Sequence, residues 1–426
     1  MAYLNLLSTY KYSVFKNYHY IMNNIINMLV VLYSFIIPIF PNASKKLILI
    51  IFLFWILNKN FLKIRRLLIE SDILKVFILF MIYSSLSLLW SENTSEARSW
   101  LSMLFKYWFI PVILFSTAIE KRYIKYIISA FLLSMLINEI LSYGIFFQIW
   151  DNFLGYPFTG NSYAPVPFHN SHMEYSLYLA LTVLIMIYSM INENNKYIKI
   201  IYIIFIITMT ANLFISNGRT GQFAFVLTSF FLLYYYNIKT VKYLLIIFVS
   251  MILSLLLAYS FSNSFKNKIN KSITNTQKAI TNNNFNTSIG IRLSSYIVVP
   301  EIYKDSDINI LFGTGLGDVR DLVHRKQIEM FGKNSLFIWQ EGHLHNTFLT
   351  IVLAFGIIGL ILFIYIIYLI FKLKIDDKYI SYIRHIFICM IILSSFSENF
   401  LRQKEIVLLF SLFISFLIVT SIPNKK

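Results

Sequence analysis

The sequence is short of charge and nearly free of cysteine. Of its 426 residues only 13% are charged, against about a quarter in soluble globular chains. Hydrophobic residues make up 58%, and the mean hydropathy is +0.66. That excludes an ordinary water-soluble domain and calls for a bilayer as solvent. The one cysteine, Cys389, sits in an apolar run, so no intrachain disulfide can form and the redox compartment is not indicated. Acidic residues are also scarce, 20 against 37 basic ones, for a net charge of +17. The basic residues are spread through short loops and form no patch interleaved with aromatics, which argues against nucleic acid as a partner. No short apolar core with a small-residue cleavage site occurs between Met1 and Tyr20, so the first apolar span is expected to remain as a transmembrane helix. Walker and hydrolase motifs are missing too, which argues against an ATP-driven pump.

What is present is a series of apolar stretches near the length that crosses about 30 Å of hydrocarbon. They fall at about 21–40, 45–58, 73–90, 99–117, 124–149, 172–191, 198–216, 220–236, 243–261, 346–371, 380–396 and 406–422. The expected fold is therefore an all-α integral membrane protein of about twelve transmembrane helices. An even number of spans puts both termini on one side. With the termini inside, 20 Lys and Arg fall in inner segments and only 6 in the short outer ones, the bias expected of cytoplasmic loops. The organisation is then transmembrane helices 1–9 in residues 1–261, an outward (periplasmic) loop at 262–344, and transmembrane helices 10–12 in 345–426.

The long loop has three parts. Residues 264–287, rich in Asn, Lys and Thr, read as a solvated stretch. From Ser288 to Lys304, the spacing of Ile291, Leu293, Tyr296, Ile297 and Val299 predicts a mostly amphipathic helix with Pro300 as a break or kink. Residues 313–317 (GTGLG) form a turn cluster before a short helix from about Asp318. They follow no strand of a βαβ unit, so a phosphate-cradling loop is not the reading.

The most specific signal starts at the foot of the tenth span, where His345-Asn346 is followed by nine residues, then Gly356, two residues and Gly359. On a continuous helix Gly356 lies about 20° from His345 and Gly359 about 40° to the other side. Glycines on such a face let a neighbouring helix approach, so the face should point into the bundle, with Asn346, Gly356 and Gly359 as a helix-packing motif. A histidine held there at the outer boundary is a candidate for function; an interfacial histidine beside an ordinary small-residue face is the competing reading.

The pattern H-[N/S/Q]-x9-G-x-x-[G/T/Y] resembles the signature of the bacterial O-antigen ligases and related O-antigen polymerases, and HLHN at 343–346 is similar to their His-x-His-Asn. SNGRTG at 216–221 resembles the place where the ligases carry an Arg followed by small residues. SIGIRLSSY at 288–296 resembles their Ser-x-Gly-x-Arg-x-x-x-Tyr. Looser echoes are WSENTSEA at 90–97, Lys106, and Glu398 with Arg402. The likeness spans about residues 75 to 405.

That resemblance implies a GT-C-like membrane glycosyltransferase: an inverting, metal-independent O-antigen ligase of the bacterial inner membrane, acting in lipopolysaccharide biosynthesis on the periplasmic side. The donor implied is a glycan on undecaprenyl pyrophosphate, the acceptor lipid A-core, with membrane lipids around it and no cofactor. His345 or His343, unranked, is the expected general base, a role that suits a group titrating near neutrality. Arg219, Arg292 and Arg402 are expected at the pyrophosphate, for which a permanently charged planar guanidinium is suited. Alone, Arg219 reads equally well as a snorkelling interface charge, and Arg292 as a solvated helix face. An O-antigen polymerase, taking a second lipid-linked repeat as acceptor, is the nearest alternative. A non-catalytic lipid-linked glycan transporter is the other, although charged positions gather at the outer mouth and no two halves correspond.

Weaker candidates are His169, His172 and Glu174 at the outer start of the sixth span, read as a satisfied interfacial cluster before a metal or acceptor site. Asp305-Ser306-Asp307 has Asp-x-Asp spacing, but solvated turn acids are the better reading. Glu139 and Lys106 stand out only by lying within spans.

Overall fold

The computed structural model describes the chain apart from Met1 and residues 154, 159, 162, 163, 169, 170, 217, 237–258, 261, 262, 282–284, 288, 306, 334–340 and 424–426. The protein is an all-α membrane protein. A two-residue hairpin, Asn152–Phe153 with Tyr156–Pro157, is the only sheet among the described residues. The helices are α1 (Ala2–Ile36), α2 (Pro41–Leu57), α3 (Lys63–Glu70), α4 (Asp72–Leu86), α5 (Thr94–Leu104), α6 (Ile110–Ala118), α7 (Ile124–Phe146), α8 (His172–Asn192), α9 (Lys196–Ile215) and α10 (Arg219–Tyr235). There follow α11 (Asn263–Thr281), α12 (Gly290–Asp305), α13 (Val319–Phe331), α14 (Thr347–Lys372), α15 (Lys378–Ser397) and α16 (Lys404–Ser421).

Among the described residues nine helical segments are long and apolar enough to cross a membrane. A further pair, Pro41–Leu57 with Asn60–Glu70, is bent by 74°; there Lys59 takes a left-handed φ of 55°. Eleven of the twelve expected stretches coincide with helices, α10 being a 17-residue one. The ninth, 243–261, falls almost entirely outside the described residues.

Where spans are broken, side chains from neighbours repair the ladder. Thr94–Ala118 is a single span in which a π-helical turn, Phe105–Phe109, joins α5 to α6. Pro111 has no N–H to offer the carbonyl of Tyr107 four residues back, and the Ser411 hydroxyl of α16 donates to it at 3.2 Å. One turn on, Ser415 donates to Val112 O at 3.1 Å. These bonds pin α16 along α6.

The polar stretch 264–287, expected to be solvated, is largely the helix α11. Within it Phe265, Ile269, Ile273 and Ile280 recur at helical spacing. The loop helix expected over 288–304 is α12, which runs on past Pro300, and α13 begins one residue after Asp318.

The expected helix-packing motif needs correction. Gly356 is not on a continuous helix: its φ of 64° and ψ of −166° break α14 in a region open essentially to glycine alone. The turn 310–315 fills the break. Ile357 N donates to Ile310 O at 2.9 Å and Ile358 N to Leu311 O at 3.3 Å, while Thr314 N and Gly315 N donate to Leu353 O and Ala354 O at 2.8 and 3.1 Å. A Cβ on Gly356 would lie 2.2 Å from Leu311 O, and one on Gly313 2.6 Å from Gly356 N. The atoms nearest a Cβ on Gly359 belong to Phe355 of its own helix. The motif glycine thus admits a loop backbone, not a neighbouring helix, because orphaned groups inside a bilayer must find partners. Gly356→Ala is expected to lower stability by at least ~1–3 kcal/mol from the backbone conformation alone, read as a drop in melting temperature of the detergent-solubilised protein. An unchanged melting temperature would rule out the break.

Candidate functional site

Asn346 is the N-cap of α14, its side chain accepting from Leu349 N at 2.9 Å. The opposite end of that side chain donates to Tyr296 OH at 2.8 Å, on α12, and to Phe396 O at 3.3 Å, on α15. Asn346 therefore ties together the three helices whose ends form the site. Because the cap fixes the backbone, His345 is held just outside the helix, its N–H donating to Ser295 Oγ at 3.3 Å.

The His345 ring meets Glu398, with 2.8 Å between Nδ1 and Oε2. Glu398 follows α15 directly and is 4% exposed. Its other oxygen, Oε1, accepts from Arg292 Nη2, while Arg292 Nε donates to Ser397 O at 3.2 Å. Thr347 Oγ1 in turn donates to Glu398 O at 2.8 Å. A buried carboxylate is costly unless its charge is compensated, and here a guanidinium and an imidazole share that task. Burial opposes ionisation of Glu398, but the hydrogen bond and charge of His345 and the charge of Arg292 outweigh it and hold the carboxyl below its ordinary value of 4.5.

His343 lies beside it, the two rings 4.8 Å apart and perpendicular. Burial, then the charges of His345 and Arg402, push it down to about 3, which favours the neutral ring. It lines a pocket of about 10 Å³ with Trp100, Gly342, Asn399 and Arg402, room for about one water. Arg402 lies over the Trp100 ring at 4.3 Å and pairs with Glu96 at 3.4 Å. Arg219 opens α10, where Gly218 and Gly221 let the helix end press against Ser176 of α8. The adjacent Thr220 hydroxyl lies 3.4 Å from that of Ser397, and the positive charges of Arg219 and Arg292 are near enough to repel each other. His345, His343, Arg292, Arg402 and Arg219 thus converge from four separate parts of the chain.

Residues 204–364 match the family model described as O-Antigen ligase. The chain carries an O-antigen ligase family domain. No curated protein matches the sequence. The matched segment of this ligase family domain includes Arg219, Arg292, His343 and His345, and leaves Glu398 and Arg402 beyond its end. Glu398 stood out in the sequence only as a loose echo beside Arg402; a lone Glu at the end of a span gives no sign that it will meet a histidine 53 residues earlier.

Ligand atoms of His343, His345 and Glu398 all lie within 4.8 Å of one another, close enough to hold a cation. Arg292 already occupies one Glu398 oxygen, Oε1, and His345 Nδ1 meets the other. Asp305 is paired with Lys326. Glu174 forms a capping box with Ser171 and faces Glu405, itself paired with Lys45. His169 lies outside the described residues. Lys106 is exposed on the π-helical turn, and Glu139 is buried in α7.

The depressed Glu398 carboxyl has a consequence for stability. A carboxyl held lower in the folded protein contributes stability that is present above its unfolded value, about 4.3, and lost as pH falls through the folded value. Wild type should therefore exceed Glu398→Gln in melting temperature at neutral pH, with the gap narrowing only below the ordinary carboxylate range. A gap that closes between pH 6 and 8 would contradict this.

Proposed function

We propose that the protein is an O-antigen ligase, moving a glycan from undecaprenyl pyrophosphate to a sugar hydroxyl of lipid A-core on the outer face of the bacterial inner membrane, with both termini cytoplasmic. The observation that carries this is Glu398 between His345 and Arg292. Its bond to Nδ1 selects the tautomer with the ring lone pair on Nε2, the nitrogen that takes the proton.

The acceptor oxygen attacks the anomeric carbon from the face opposite the pyrophosphate, with inversion. The bond from that carbon to the phosphate oxygen breaks, its electron pair leaves with undecaprenyl pyrophosphate, and the acceptor proton passes to His345 Nε2. Arg219, Arg292 and Arg402 stabilise the departing charge, as fixed cations do in a water-poor site. His343 is the poorer base, because a group that protonates only near pH 3 is far from the operating pH; it positions His345. No cofactor or metal enters this route.

Purified protein reconstituted with lipid-linked donor and lipid A-core should transfer glycan in the presence of EDTA. Transfer lost on chelation and restored by a divalent cation would overturn the metal-free route. The lipopolysaccharide of a deletion strain separates ligase from polymerase: bare core with lipid-linked polymer retained supports the ligase, and core bearing a single repeat supports the polymerase.

A further inference from the structure

Where α5 and α13 begin lies an open cleft of about 810 Å³, within the size range of ligand pockets. Two of its walls are aromatic. Trp90 follows the end of α4, and Phe312, 43% exposed, stands on the turn that plugs the break in α14; their rings are 6.0 Å apart at 65°. Its charged groups are one-sided, with Glu92, Asp307, Asp318 and Asp321 against Arg325. Asp318 and Asp321 serve the wall itself: Asp318 accepts from Glu92 N and Asn93 N at 2.9 and 2.7 Å, and Asp321 accepts from the Asn93 side chain at 3.0 Å. Glu92 and Asp307 are exposed and come from different segments.

We infer that this cleft is a saccharide subsite that holds a neutral or amino-bearing sugar unit, one or more residues away from the linkage being made. The electron-rich face of an aromatic ring suits the C–H face of a pyranose, carboxylates accept from its hydroxyls, and the excess of carboxylates repels uronic or phosphorylated units. Two helices connect the cleft to the reacting centre. Helix α5 is capped by Asn93 at the cleft and carries Trp100 to Arg402 about 10 Å further on; α13 presents Asp321 and Arg325 to the cleft, and Val319 and Arg320 to the His343 pocket. A glycan reacting at His345 would therefore lay a neighbouring unit on Trp90.

This inference rests on the glycan-transfer reading, and the sugar can belong to donor or acceptor. The test is saturation-transfer NMR on the full chain in detergent with two soluble probes: core oligosaccharide released by mild acid from lipopolysaccharide lacking O-chain, and O-chain oligosaccharide released by mild acid from its undecaprenyl pyrophosphate carrier. One probe should bind wild type and His345→Ala alike, and which one does so identifies the source. Trp90→Ala and the milder Asp307→Asn should weaken it on the order of tenfold, the size of a lost stacking contact, and raise KM for that substrate more than they lower kcat. Binding of neither probe to wild type, or equal binding by both variants, overturns the subsite. Normal transfer by His345→Ala would instead sink the catalytic assignment, with the binding result unaffected.

Discussion

Replacing His345 with Ala should lower glycan transfer by about 10²–10⁴-fold, the contribution typical of a positioned general base, while the protein still inserts and folds. Two features separate these outcomes. The Ser295 bond is made by the His345 backbone N–H, and the cap of α14 is made by Asn346; both survive truncation of the imidazole. What is lost is the ring between Glu398 and the acceptor hydroxyl. A lipopolysaccharide ladder of near-normal intensity in cells expressing His345→Ala would remove His345 from the reaction. Melting temperature in detergent provides the control, and a collapse there would mean the ring is needed for folding instead.

The second large effect is expected at Glu398, where Gln keeps the shape and removes the charge. The amide can present its N–H to His345 Nδ1 and so favour the wrong tautomer, and it no longer neutralises Arg292 in a buried setting, where an unpaired charge is costly. A loss of transfer of at least 10–100-fold is expected from the histidine's orientation alone. Because the change acts on chemistry more than on binding, kcat should fall with KM for the lipid acceptor little altered. Activity within a few-fold of wild type would reduce Glu398 to a structural ion pair. Glu398→Asp, which keeps the charge but shortens the reach, should recover part of the lost rate.

The class of fold was readable because hydropathy is decided locally: each span carries its own signal, and only its partners are set by the rest of the chain. His345, Arg292 and Arg219 were readable for a different reason, as each sits in a short motif with fixed spacing. Glu398 and Trp100 sit in no such motif. Their roles arise from contacts with residues far away in sequence, and a single chain does not reveal pairing of that kind. Gly356 is the instructive failure. Extending the helix from His345 assumed an unbroken ladder, and glycine is the residue that fits both a close helix contact and a backbone that leaves the helical region. The turn at 313–317 was identified, but nothing in its composition shows that it docks 40 residues later in the chain.

That docking also changes what kind of object α14 is. The outer piece, from Thr347 to Phe355, is about 13.5 Å long at 1.5 Å per residue, less than half of the hydrocarbon layer. Its inner end is bonded to the backbone of residues 310–315 across the break. By these backbone bonds its inner end is joined to the long loop, so the piece that starts beside His345 is backed by the segment that carries Phe312. Shortening or loosening residues 309–315 should therefore lower transfer even though it removes none of the groups assigned to the reacting centre.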